Sequence, residues 1–167
     1  MRLLAQNIIR FIILVLIQVL IFDNVMLNGF FNPYIYILFI LLMPFETPRW
    51  LLLVSGFLMG LSIDLFSNTL GMHTAATVFI AFLRPWVLGI LAPRDGYESD
   101  TQPRIHYYGL RWFAGYTLIL TFLHHLTLFY IEVFQFHDFF STFLRVILST
   151  LLSTSTLILS QYFIFRK

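Results

Sequence analysis

Residues 50–92, WLLLVSGFLMGLSIDLFSNTLGMHTAATVFIAFLRPWVLGILA, hold two apolar runs separated by a short polar turn. A helix needs about 20 mostly apolar residues to cross a bilayer, fewer where its ends snorkel. Residues 50–66 and 73–92 fit that ruler with few charges. Between them stand Asn68 and Gly71, residue types that accept the backbone angles of a tight turn. The pattern predicts two membrane helices joined by a short connection.

The same ruler finds further runs at residues 3–22, 33–45, 110–134 and 139–165, six in all. Asn28-Gly29, Asn32-Pro33, Pro44 with Pro48, and the stretch from Pro93 to Pro103 separate them. The run at 33–45 is short and ends at Pro44, so a re-entrant or half-buried helix is an open alternative there. The first run lacks a small-residue cleavage site after Phe22, so it is expected to be a retained helix and not a signal peptide.

Composition agrees. The 167 residues are 59% hydrophobic and 11% charged, with mean hydropathy +0.86, against about 25% charged in soluble domains. A core of this size could not bury so much apolar surface. The expected fold class is an all-α integral membrane protein of about six transmembrane helices, with residues 1–167 as a single transmembrane domain.

Basic residues set the expected orientation, because short cytoplasmic loops carry the Lys and Arg excess. With the N-terminus inside, Arg2, Arg10, Arg49, Arg94, Arg104, Arg111, Arg166 and Lys167 all fall on the cytoplasmic side. Both termini are then cytoplasmic. The net charge of +2 rests on few ionised groups and gives no argument for nucleic acid.

Intramembrane polar residues usually face protein or water and mark function. Gly56, Gly60 and Asp64 recur every four residues, which stacks two glycines and an acid on one face. Such a small-residue pair lets another backbone approach, as internal packing or as a partner-binding face. Arg145, Ser149, Ser153, Thr156 and Ser160 form a second stripe, and His73, Thr77, Ala81 and Arg84 a third, with a kink expected at Pro85. Asp64 and Arg145 lie at similar depth near the outer ends of their helices. They are therefore expected to pair; the alternative for Asp64 is a helix cap at the outer interface. Arg84 lies deeper, so Glu46 or a carbonyl released by Pro85 is its expected partner. His124 and His125 suit a packed polar contact better than a metal site.

Catalytic chemistry is missing from the sequence. There is no Cys, the single Lys is Lys167, and neither H-E-x-x-H, G-x-x-x-x-G-K nor G-x-S-x-G occurs. Asp95, Glu98 and Asp100 read as a solvated loop. No enzyme activity, metal or cofactor is expected.

The stretch GLSIDLFSNTLGMHTAA at 60–76, with NPYIYILFILLMPFETPRW before it, resembles the rod shape-determining MreD family. Gly60, Asp64, Phe66 and Gly71 carry the match; Pro44, Glu46 and Pro48 look like the Bacteroidota-type version. The resemblance implies a fold similar to the substrate-binding subunits of energy-coupling-factor transporters. It also implies a place in the bacterial inner membrane and a non-enzymatic role in the cell-elongation complex. The implied partners are MreC, through its membrane helix, and with it MreB, RodA and the RodA transpeptidase. A substrate-binding subunit of a vitamin or metal transporter is the alternative, although the outer loops are short and sparse for closing a ligand pocket.

Overall fold

The computed structural model describes residues 2–24, 32–98, 101–133 and 139–164. The Asn28-Gly29 turn, Asp100, Arg166 and Lys167 lie outside the described residues. Among those described, every regular element is helical: α1 (Arg2–Leu20), a 3-10 turn (Phe22–Asn24), α2 (Leu38–Leu41), α3 (Arg49–Ser67), α4 (Met72–Ile90), α5 (Ile105–Val133) and α6 (Phe139–Ile164). Four of them, α3 to α6, are long and apolar enough to cross a membrane, and a shorter apolar helix covers Ala5–Leu20. This is the architecture of a multi-pass helical membrane protein. α3 packs on α4, α4 on α5 and α5 on α6, while α1 lies against α2 and α3.

The distribution of side chains is that of a protein whose outer solvent is oil. Ile9, Ile12, Phe57, Phe82, Leu118 and Leu151 are exposed, while Gln18, Thr77, Arg84, His124, His125 and Ser153 are fully buried. Polar groups gain nothing from hydrocarbon, so they turn inward and must find partners there.

Arg49, Arg94, Arg104 and Arg111 lie at or near helix ends on one side of the bundle, here the basic end. There Phe45 stacks on Tyr97 with centroids 4.1 Å apart, and Trp112 stacks on Tyr116 at 5.1 Å. Tyr97, in the connection after α4, donates its hydroxyl to the Leu88 carbonyl at 2.7 Å. Burial pushes the Tyr97 phenol up to about 12. The opposite side, with the α3–α4 turn, is the far end.

The expected helix at 33–45 is corrected: only Leu38–Leu41 is α-helical. Residues 34–43 are all buried, and Tyr36, Ile37, Ile40 and Leu41 are wholly enclosed. Irregular backbone survives at membrane depth only when protein satisfies it, and here polar side chains do so. Tyr34 donates its N–H to Ser153 Oγ at 2.9 Å and Ile35 donates to Gln18 Oε1 at 2.8 Å. Gln18 Nε2 donates to the Pro33 carbonyl, Tyr116 Oη to that of Leu41 and Arg10 Nη1 to that of Leu42, at 3.0 to 3.3 Å.

Two further expectations meet the backbone directly. The fifth run starts at a break, because Gly109 has φ 79° and ψ 164° inside the span from Ile105 to Val133. α4 carries Pro85 within its length and stays helical to Ile90.

Candidate functional site

The α3–α4 hairpin shows why Gly60, Asp64 and Gly71 occur together. Asn68 ends α3 in the left-handed conformation, with φ 54°. Gly71 opens α4 with φ 81°, a geometry that favours glycine, and its own residue supplies no side-chain cap. Asp64 supplies the cap from the preceding helix. Its Oδ1 accepts the His73 N–H at 3.1 Å and the Thr69 hydroxyl at 2.5 Å. Its Oδ2 accepts the Thr74 N–H at 2.8 Å and the Thr74 hydroxyl at 2.6 Å. A carboxylate there satisfies orphan N–H groups and complements the positive end of the helix dipole. The turn closes tightly only because Gly60 has no side chain: a Cβ there would lie 2.4 Å from Thr74 Cα. One helix turn earlier, a Cβ on Gly56 would meet Ala81 Cβ and the Thr77 carbonyl oxygen, each at 3.1 Å. Both glycines therefore pack against α4, inside the chain.

The expected Asp64–Arg145 pair is overturned. Asp64 is occupied by the α4 N-terminus, and Arg145 Nη1 pairs with Glu132 Oε2 at 3.0 Å. The Arg145 guanidinium also lies 4.2 Å from the centre of the Phe129 ring. The physical reason is proximity in sequence: the ends of the α5–α6 hairpin bring an acid and a base together at one height. Glu132 went unremarked in the sequence, although complementary charges flanking a hairpin connection were the available signal.

Arg84 also has partners other than those expected. It is wholly buried, and its Nε donates to Tyr116 Oη at 2.8 Å. Its Nη2 donates to the Met43 carbonyl, and both terminal nitrogens reach the Pro44 carbonyl at 3.5 Å. Neither Glu46 nor a carbonyl released by Pro85 is bonded to it. The guanidinium closes the end of the irregular segment, where carbonyls of a finished helical turn point without partners.

The interior holds a histidine–tyrosine chain. The Tyr36 hydroxyl lies 2.9 Å from His73 Nδ1 and 2.8 Å from His124 Nε2. With a single hydroxyl hydrogen on Tyr36, at most one imidazole can accept and the other must donate. His125 bridges the Thr121 carbonyl at 2.7 Å and Ser153 Oγ at 3.1 Å. Tyr36 was missed in the sequence because an aromatic within an apolar run looks like any lipid-facing residue. On α6 the buried face includes Ser149, Ser153, Thr154 and Gln161, but Thr156 and Ser160 bond to carbonyls of their own helix. The second stripe is therefore fully buried at Ser149 and Ser153 and half-buried at Arg145, Thr156 and Ser160.

Above this chain, at the far end, opens a cavity of about 400 Å³. Asp23, Tyr34, His73, Glu132 and Arg145 supply its polar wall, with Val19, Phe66 and Leu128 among its apolar lining. Asp23 is held by Gln18 Nε2 and by the Ser67 hydroxyl, each at 2.8 Å. No family model, curated protein or solved structure matches the chain. What the site can do rests on its own geometry. Among the described residues, no group of three or more His, Cys, Asp or Glu is placed to hold a metal ion. The cavity instead offers fixed charges of both signs, an arrangement suited to binding.

Proposed function

We propose that the chain is a non-enzymatic membrane component of the bacterial cell-elongation complex, which binds the membrane helix of MreC and supports peptidoglycan synthesis and cell shape. On this reading it crosses the inner membrane six times with both ends cytoplasmic, the second crossing made by residues 33–45. The observation that carries the proposal is the set Gly60, Asp64, Phe66 and Gly71, the residues of the MreD resemblance. Three of these shape one structural unit: Gly60 permits the close approach, Asp64 caps α4, and Gly71 turns the chain. Residues with that mutual dependence form a motif and not three coincidences.

Through MreC the chain would meet MreB, RodA and the RodA transpeptidase. The transporter-subunit reading draws on a different observation, the far-end cavity with its mixed charges. The test is co-purification of the tagged chain from its own host. MreC in the eluate supports the elongation-complex reading; an ATPase pair with its coupling subunit, and no MreC, overturns it. Reporters fused after Lys167 and after Asn68 test the topology, with cytoplasmic and external signals expected respectively.

A further inference from the structure

We propose that the far-end cavity binds a phosphoethanolamine-type zwitterion, a group that carries a phosphate ester and a primary ammonium. The first argument is charge. Asp23, Glu132 and Arg145 line one cavity, two acids against one base. A simple anion would face both carboxylates, and a simple cation would face the guanidinium. A zwitterion answers both.

The second argument is unused donor capacity. A guanidinium carries five N–H donors in a planar fork that suits phosphate. Arg145 commits Nη1 to Glu132 and its Nε is enclosed by protein, so Nη2 is the donor it keeps for a ligand in the cavity it lines. Glu132 therefore orients Arg145 without exhausting it. On the acidic side, each Asp23 oxygen accepts one hydrogen bond, from Gln18 or Ser67. The carboxylate is fixed in place with lone pairs left over for an ammonium, which donates three hydrogens where a trimethylated nitrogen donates none.

Size and position decide the rest. About 400 Å³ falls within the range of roughly 300 to 1,000 Å³ usual for ligand sites, and it holds the zwitterion together with a glycerol. The cavity lies at helix ends, the depth of lipid headgroups, and Phe66 on its rim is 62% exposed. An acyl chain can leave over that rim. The same chemistry exists in phosphatidylethanolamine and in soluble phosphoethanolamine, and the two sources are separable. The site is independent of MreC binding, and neither result below depends on it.

Native mass spectrometry of the purified chain, offered equal phosphatidylethanolamine, phosphatidylcholine and phosphatidylglycerol, reads the lipid source. Thermal unfolding with soluble phosphoethanolamine, phosphocholine or inorganic phosphate reads the other. Expected is retention of phosphatidylethanolamine at least five-fold above the other two lipids, or a Tm rise of several degrees with phosphoethanolamine alone. Asp23→Asn and Arg145→Gln should each abolish that preference, and Arg111→Gln at the basic end should leave it intact. Because the wild-type competition needs no variant, poor folding of either variant does not blunt the test. Equal retention of all three lipids with no selective Tm rise overturns the proposal, as does a preference that survives both cavity variants.

Discussion

The carboxylate of Asp64 and the backbone N–H of Thr74 meet at 2.8 Å, so the last turn of α3 secures the first turn of α4. Losing a helix cap costs about 0.5 to 2 kcal/mol. Asp64→Ala also strands the Thr69 and Thr74 hydroxyls and should fall at or above the top of that range. Asp64→Asn, which keeps an acceptor oxygen, should be milder. Because Asp64 and Arg145 share no partner, the double variant Asp64→Asn, Arg145→Gln should be additive within about 0.5 kcal/mol. Equilibrium unfolding in mild detergent of the wild type, Asp64→Ala, Asp64→Asn, Arg145→Gln and the double variant measures these effects; a large coupling energy would revive the discarded ion pair.

Close approach at Gly60 yields a graded series. Inserting a methyl into a tight contact typically costs about 1 to 3 kcal/mol. Gly60→Ala, whose Cβ would collide with backbone atoms of Thr74, should reach or exceed the upper value. Gly56→Ala should be smaller, since its neighbours stand at 3.1 Å. Gly89→Ala meets nothing within 4 Å and should be neutral or slightly stabilising. Tm values for the three variants should follow that order.

Arg84 holds the Met43 and Pro44 carbonyls through a fork that a lysine lacks. Each buried polar group left unpaired costs about 1 to 3 kcal/mol. Arg84→Met should therefore sharply reduce the folded yield, with Arg84→Lys recovering part of it. Tyr116→Phe, which removes one acceptor for Arg84 and one donor to Leu41, should cost less than Arg84→Met. Fluorescence size-exclusion profiles of the three variants supply the ranking, and a wild-type profile for Arg84→Met would refute the role assigned to the guanidinium.

Tyr97 gives a pH signature. Its phenol is raised from 10.0 to about 12 by burial. A raised folded value means that the neutral form is the one favoured by the native loop. Its contribution is full below pH 10 and is lost as pH climbs from about 10 toward 12. Absorbance of tyrosinate at 295 nm should therefore contain a late step that Tyr97→Phe removes. Its disappearance from a different part of the curve would show that the loop is not packed as described.

How much of this was legible beforehand depended on whether the deciding partner was close in sequence. Runs of apolar residues announce helices directly, so α3 to α6 follow from hydropathy, and Gly109 marks the start at residue 110. The glycine stripe could be read because period four places Gly56, Gly60 and Asp64 on one face. What those residues touch could not be read. Asp64 has its backbone partners, His73 and Thr74, in the next helix, across a turn whose geometry depends on Asn68 and Gly71 together. The segment at 34–43 was opaque for a stronger reason. Its shape depends on Arg10, Gln18, Arg84, Tyr116 and Ser153, drawn from four helices, and an apolar run has the same composition whether it is coiled or extended. The far-end cavity was invisible because Asp23 lies far in sequence from Glu132 and Arg145 and joins them in one lining only once the helices between have packed.

The irregular segment also constrains how the chain is made. A ribosome delivers residues 34–43 to the membrane well before Arg84, Tyr116 and Ser153 exist as folded neighbours. Until those residues arrive, the carbonyls of Leu41 and Met43 and the N–H of Tyr34 lack the donors and acceptor that hold them in the finished protein. Hydrocarbon would charge several kcal/mol for each such group. The nascent segment is thus committed to wait at the headgroup region, in a temporary full helix, or under the cover of an insertion factor. Biogenesis of this protein is therefore not a simple succession of helices in sequence order: the segment at 34–43 is completed only when α6 brings Ser153 to the Tyr34 N–H.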